Sequence, residues 1–233
     1  MRLNMGFLII SFLCIILIAL LFWVFSVNIK KLKEMAKIKE FDRIGDKYPS
    51  NIDICKEYLE MLNNKNVNIE ENDGSDATVY IAISNKISIG NLRNSYTRIQ
   101  TIAHECLHSI QNKKLLIFNF IFSNIYLLYF FIIIVLTIFG NLQNQMAHVA
   151  TLAVMGIVYL TVRLYLESDA MIKARYLAKE YMNKKKISSE EEIQKMIKQY
   201  DVVTNFGVKC VYYQLGLNVL SKIAILSLLC FWK

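Results

Sequence analysis

The chain contains few of the residues that break regular structure. Its 233 residues include eight glycines and a single proline, Pro49. Proline therefore interrupts the backbone at one point only. No internal repeat and no low-complexity linker is present, which excludes a repeat protein or a string of flexibly joined modules.

Disulfide bonds are not expected to hold this fold. Three of the five cysteines lie in apolar segments, where cysteine usually serves as a small packing residue. The other two fall in stretches expected to face the reducing cytosol, and none has the spacing of a metal site. In chain order the cysteines are Cys14, Cys55, Cys106, Cys210 and Cys230.

Acidic residues are fewer than basic ones, and the formal net charge is +8. No basic stripe with interleaved aromatic residues is present, so the sequence does not predict a nucleic-acid partner. The lysines lie beside long apolar runs instead. There they favour contact with the anionic headgroups of a lipid bilayer.

The apolar residues are concentrated in blocks long enough to cross a bilayer. Met5–Val27 is an uncharged run of 23 residues, Leu115–Gly140 is a run of 26, and His148–Tyr165 is nearly as apolar. A fourth block, Phe206–Trp232, contains Lys222 near its middle. We expect it to be a fourth span with Lys222 against other helices, the alternative being a broken or partly interfacial segment.

The lysine distribution predicts the orientation of these spans. Five lysines lie between residues 30 and 39, directly after the first span, whereas Arg2 alone precedes it. The positive-inside rule then places residues 28–114 in the cytosol and the uncharged loop Asn141–Ala147 outside. Residues 166–205 carry eight Lys and Arg and return to the cytosol. The first span has no cleavage site after it and is predicted to remain as an anchor.

Histidine is scarce as well, and two of the three lie in the sequence His-Glu-Cys-Leu-His at residues 104–108. On a helix, His104 and His108 project from one face and can bind one metal ion. Glu105 is placed to take a proton from an attacking water. The alternative is a pair of surface histidines on an ordinary amphipathic helix.

The flanking residues predict that this segment is a helix with one buried face. An apolar stripe runs along it, and the polar residues lie off that stripe on the open face, namely Arg98, Thr101, His104, Glu105, His108 and Gln111. The stripe would pack against a core while the histidines face a cleft. Its members are Ile99, Ile102, Ala103, Cys106, Leu107 and Ile110.

A catalytic zinc usually has three protein ligands, so a further ligand is needed. The third histidine, His148, lies at the other end of a span and is interpreted as an interfacial residue. Glu167 is the first acidic residue after the chain has crossed the membrane twice, and we expect it to be the third ligand. The alternative is a Glu167 paired with Arg163 or reaching the interface. Asp169 would either orient a ligand histidine or lie exposed near the start of a helix.

The remaining segments predict a small cytosolic α+β region. Residues 51–62 have a helical pattern, Asp73–Gly74 indicates a turn, and residues 78–84 alternate like a strand. Such a strand would be either an edge strand that pairs with an extended peptide or a plain strand of a small sheet. Residues 164–182 are helical in pattern, and Ser189 to Glu192 fit a capping box.

The assembled order resembles the YugP-type neutral zinc metallopeptidases of bacteria. The matching stretches are residues 78–84, Ala103 to Gln111 and the Glu-Ser-Asp-Ala sequence at 167–170. The resemblance implies a zinc peptidase of the bacterial plasma membrane, with ligands His104, His108 and Glu167 and with Glu105 as general base. More distantly the chain is similar to HtpX-like and CAAX prenyl membrane proteases. Leu107 stands where the family usually has glycine.

The sequence thus predicts a mainly α, multi-pass membrane protein with three to four transmembrane helices and a small α+β cytosolic zinc-peptidase region. The predicted function is zinc-dependent hydrolysis of peptide bonds in a peptide or membrane-protein substrate at the cytosolic face. The alternatives are an inactive pseudopeptidase that serves binding or assembly, and a zinc storage or transport protein. The predicted segments are an anchor (1–27), a cytosolic region (28–114), a helical hairpin (115–166), cytosolic helices (167–205) and a C-terminal apolar segment (206–233).

Overall fold

The computed structural model describes residues 2–35, 38–75, 77–92 and 95–232, with the side chains of residues 2–4, 29, 32 and 33 outside that description. The described chain is mainly helical with one small sheet. Its elements are α1 (Arg2–Phe25), α2 (Ile29–Met35), α3 (Lys39–Gly45), α4 (Asn51–Met61), β1 (Asn68–Glu71), β2 (Val79–Ile81), β3 (Lys86–Ile89), α5 (Arg98–Ile110), α6 (Lys113–Ile138), α7 (Gln145–Lys185) and α8 (Glu190–Trp232).

Four helices are long and apolar enough to cross a membrane, namely α1, α6, α7 and α8. This suggests a membrane protein. The helix α8 is continuous from Glu190 to Trp232, so the alternative of a broken C-terminal segment is wrong. The predicted capping box is confirmed, because the Ser189 N–H donates to Glu192 Oε2 over 3.0 Å and the Glu192 N–H donates to Ser189 Oγ over 3.2 Å.

The chain forms two compact units. The first comprises residues 1–27, 118–165 and 209–233, and the second comprises residues 28–117 and 166–208. The segments predicted from the sequence end at residues 27, 114, 166 and 205. In the structure the chain passes from one unit to the other after residues 27, 117, 165 and 208. Each long helix α7 and α8 contributes one part to each unit.

The first unit is a bundle of apolar helices with polar groups inside it. The close approach of two helices requires Gly156, since an added Cβ would lie 2.5 Å from Val219 Cγ1. Lys222 Nζ lies 4.3 Å from the centroid of the Tyr126 ring and donates to Asn218 Oδ1 over 2.7 Å. Lys222 therefore contacts another helix of this unit, as expected, although it is only half-buried.

The second unit packs α4, α5 and parts of α7 and α8 around one apolar core that includes Ile54, Tyr58 and Tyr200. The predicted helix at residues 51–62 is confirmed as α4, and Ser50 caps it by accepting from the Asp53 N–H. The Tyr58 hydroxyl donates to the Ile99 carbonyl over 3.1 Å and joins α4 to α5.

The sheet has the strand order β1-β3-β2, so β2 is an edge strand. The predicted strand at residues 78–84 is only half right. It ends at Ile81, a turn follows, and β3 returns antiparallel with Tyr80 opposite Ile87. Asn85, with φ of 49°, adopts the left-handed conformation that reverses the chain. Alternating apolar residues alone did not reveal this reversal.

Candidate metal centre

The helix α5 presents the His-Glu-Cys-Leu-His sequence from a rigid, largely buried element. Ile99, Ile102, Ala103 and Cys106 are fully buried in the core of the second unit, as the periodicity predicts. Leu107 is also buried in that core. The prediction for Ile110 is wrong, because 47% of this residue is exposed where α5 ends.

Arg98, expected on the open face, is 6% exposed at the first turn of α5. Its guanidinium donates to four oxygens of the segment that precedes and begins α4. These are the carbonyls of Gly45, Tyr48 and Pro49 and the side-chain oxygen of Asn51, at 2.8–3.0 Å. Arg98 thus anchors the start of the motif helix through charge-assisted hydrogen bonds.

The structure brings His104, His108 and Glu167 together from two helices. The Nε2 atoms of the histidines lie 3.0 Å apart on α5. Glu167 Oε2, on α7, lies 3.5 Å from His104 Nε2 and 3.7 Å from His108 Nε2. The three side chains are 10–18% exposed, and together they form a group able to hold a metal ion.

These distances test whether the donor set suits zinc. Two ligand atoms at about 2.0–2.1 Å from a tetrahedral zinc are separated by about 3.3 Å. The observed separations of 3.0, 3.5 and 3.7 Å bracket that value. Two imidazole nitrogens with one carboxylate oxygen, open on a fourth side, is a donor set used by catalytic zinc sites. The residues present therefore fit the ion.

Glu105 lies beside this group and is held in place by a hydrogen bond from the sheet. The backbone N–H of Tyr80, on the edge strand β2, donates to Glu105 Oε2 over 2.7 Å. The other carboxylate oxygen of Glu105 lies 3.9 Å from His104 Nε2. Burial raises the pKa of Glu105, and the nearby His104 and His108 only partly offset that rise.

A chain of hydrogen bonds runs from His108 to α7. His108 Nδ1 lies 2.8 Å from Gln111 Oε1. Gln111 Nε2 donates to the Leu166 carbonyl over 2.9 Å and to Asp169 Oδ2 over 3.1 Å. Burial acts to lower the pKa of His108, but the Glu167 and Glu105 carboxylates outweigh it and the pKa is raised.

Asp169 takes neither of the two predicted positions. Its carboxylate reaches His108 only through Gln111, and it is paired with Lys173 at 2.5 Å. Burial acts to raise the pKa of Asp169, but the hydrogen bonds from Lys173 and Gln111 dominate and lower it. The expectation of a direct contact with a histidine is wrong because Gln111 lies between them.

Three side chains that could donate to an oxyanion, those of Tyr80, Tyr96 and Arg98, are engaged elsewhere. The Tyr80 hydroxyl donates to Asn85 Oδ1 over 2.8 Å, and the fully buried Tyr96 donates its hydroxyl to the Met35 carbonyl over 2.5 Å. Arg98 is committed to the oxygens around α4. His148 lies in the first unit, 2.9 Å from the Tyr129 hydroxyl, and not with the other histidines.

Sequence reasoning missed two groups at this centre. Gln111 was placed off the apolar stripe and given no role, although its spacing of three from His108 was a usable signal. The Tyr80 N–H is a backbone group, so the type of side chain at this position does not indicate its role. Comparisons of the chain with protein-family models, curated proteins and solved structures found no match.

Proposed function

We propose that this chain is a membrane-bound zinc metallopeptidase that hydrolyses peptide bonds at the cytosolic face of a bacterial plasma membrane. The observation that carries the proposal is the meeting of His104, His108 and Glu167 at 3.0–3.7 Å, with Glu105 beside them. A chance cluster of surface histidines would not recruit a largely buried carboxylate, 15% exposed, from a second helix. The resemblance to YugP-type peptidases agrees with this assignment.

His104, His108 and Glu167 would hold the zinc, and a bound zinc supplies Lewis-acid activation of water and of the scissile carbonyl. Glu105 takes the proton from the attacking water and later passes it to the leaving amine. The Tyr80 N–H fixes one oxygen of Glu105, which leaves the other oxygen directed at the histidines. Burial raises the pKa of Glu105, which makes its carboxylate a stronger base towards the attacking water.

The edge strand supports a peptide substrate. Tyr80 directs its N–H away from β3 and donates it to Glu105 on α5, so the side of β2 that does not pair with β3 lies next to Glu105. The flanking side chains Val79 and Ile81 are 45% and 37% exposed. An extended peptide can pair with such an edge through its backbone.

The membrane placement follows from the four apolar helices and the lysine distribution. The helix α7 has 41 residues and so measures about 60 Å at about 1.5 Å per residue. That is twice the hydrocarbon thickness of about 30 Å. Glu167 lies in the half of α7 that follows the apolar stretch.

Metal analysis of purified protein tests the proposal. We expect one zinc per chain in the wild type and loss of most of it in His104→Ala. His148→Ala is the matched control, since it removes the third histidine outside the cluster and should keep its zinc. Equal zinc content in both variants would overturn the assignment of the site.

A peptide-library assay tests the activity. The wild type should cleave peptides, a chelator should abolish cleavage, and added zinc should restore it. A protein that holds one zinc yet cleaves nothing across a broad library would favour the pseudopeptidase alternative.

A further inference from the structure

We propose that Gln111 is a positioning residue that fixes the tautomer of His108, so that the Nε2 atom of this histidine is free to bind the metal. The inference rests on the proposed function, because a zinc ligand is what the free nitrogen serves. It concerns a side chain that contacts His108 and not the reacting atoms.

The orientation of the Gln111 amide is determined by its partner on α7. Its two donors and its oxygen lie at opposite ends of the amide group. The Leu166 backbone carbonyl, 2.9 Å away, can only accept a hydrogen bond. The atom that faces Leu166 must therefore be Nε2, and the Asp169 carboxylate at 3.1 Å is satisfied by the same nitrogen.

The oxygen of Gln111 must then face His108. Oε1 lies 2.8 Å from His108 Nδ1 and can only accept, so Nδ1 carries the proton. A neutral imidazole has one protonated nitrogen, which leaves a lone pair on His108 Nε2. That lone pair is directed at His104 and Glu167.

The pair of histidines is consistent with this assignment. Their Nε2 atoms are 3.0 Å apart, so in metal-free protein one of them must donate to the other. With the lone pair on His108, the donor is His104 Nε2–H. Gln111 thus breaks the symmetry between two chemically identical ligands.

Gln111 also links the two helices that supply the ligands. It is the C-cap residue of α5, three residues after His108. Its partner Leu166 directly precedes Glu167 on α7. One side chain therefore sets the direction of His108 and joins it to the turn of α7 that presents the carboxylate. Partners of this kind stiffen a metal site and usually change its affinity by about 10–100-fold.

Nitrogen-15 NMR on full-length protein in detergent tests the proposal without any catalytic assay. The chain has only three histidines, so the signals of ¹⁵N-labelled histidine can be assigned with single His→Gln variants. In metal-free wild type at alkaline pH, His108 should be protonated at Nδ1 and unprotonated at Nε2. A His108 protonated mainly at Nε2 would overturn the proposal with no variant required.

Two variants then test the role of Gln111. Gln111→Met keeps the length of the side chain but removes both hydrogen-bonding ends. It should populate the Nε2–H tautomer of His108 and raise the Kd for zinc about 10–100-fold. The matched control is Gln100→Met, which removes a buried glutamine of α5 that donates to Thr204 Oγ1 over 2.6 Å. This variant should change neither the tautomer of His108 nor the Kd for zinc.

The positioning role of Gln111 and the proposed zinc site fail on different results. If Gln111→Met keeps both the wild-type tautomer and the wild-type Kd, the positioning role is wrong while the zinc site stands. If the wild type binds no zinc, the proposed function is wrong, and the tautomer spectrum still decides whether Gln111 sets His108.

Discussion

The Nε2 atom of His104 lies 3.5 Å from a carboxylate oxygen of Glu167, although the two residues belong to different helices separated by the whole of α6. Bringing a carboxylate to two largely buried imidazoles costs free energy unless a cation or a proton is shared between them. A cation bound between the three side chains would offset that cost.

Replacing Glu167 with glutamine should weaken zinc binding by more than about 100-fold. The amide keeps the shape of the side chain but removes the negative charge, and a direct ligand should matter more than the outer partners that are worth about 10–100-fold. Competition with a chromogenic chelator measures the Kd. Glu180→Gln, which changes an exposed carboxylate on the same helix, should bind like the wild type. Equal affinity for both variants would remove Glu167 from the site.

Replacing Arg98 with methionine should destabilise the second unit by about 3 kcal/mol or more. The change leaves four oxygen acceptors around the start of α4 without this donor, three of them buried, and each loss at a buried acceptor costs about 1–3 kcal/mol before relaxation. The unfolding midpoint in detergent, followed by the signal of the buried tyrosines, should fall clearly. Arg43→Met, a substitution at an exposed position of α3, should leave the midpoint close to that of the wild type. An unchanged midpoint for Arg98→Met would contradict the anchoring role.

Much of the site was predictable because two of its proposed ligands and the buried face of their helix follow from the spacing of residues close in sequence. The separation of four between His104 and His108 and the apolar stripe of α5 follow from helix geometry alone. Glu167 was reached by counting two apolar runs between the motif and the next acidic residue. In contrast, the contacts of Gln111 with Leu166 and Asp169 join positions far apart in the chain, and only the packed structure determines them.

The errors have physical causes. Residues 78–84 were taken as one strand because alternation does not reveal a reversal, which depends on the left-handed Asn85. Arg98 was placed on the open face because it lies off the apolar stripe, yet it is buried among carbonyl oxygens that satisfy it. The hydrogen bond from the Tyr80 N–H to Glu105 could not be predicted, because every residue except proline carries such a backbone donor.

The proposed topology places the loop before α7 outside the cell and the end of α7 inside. Single cysteines at Gln143 and Lys184, both exposed positions, test it in a background whose five native cysteines are replaced by alanine. Ser188 is unsuitable for labelling because it is buried. A membrane-impermeant maleimide should label Gln143→Cys in intact cells and Lys184→Cys only after permeabilisation. Labelling of Lys184→Cys in intact cells would show that the proposed orientation is wrong.

The most direct test of the zinc-peptidase account is the cleavage rate of Glu105→Gln at equal zinc occupancy. Glutamine can still accept the Tyr80 N–H, so the fold and the metal should be retained, but it cannot take a proton from water. We expect zinc content equal to that of the wild type and a cleavage rate lower by at least about 100-fold, within the range that general-base catalysis contributes. Cleavage by the zinc-loaded variant at the wild-type rate would contradict the role of Glu105 and the peptidase mechanism proposed for this chain.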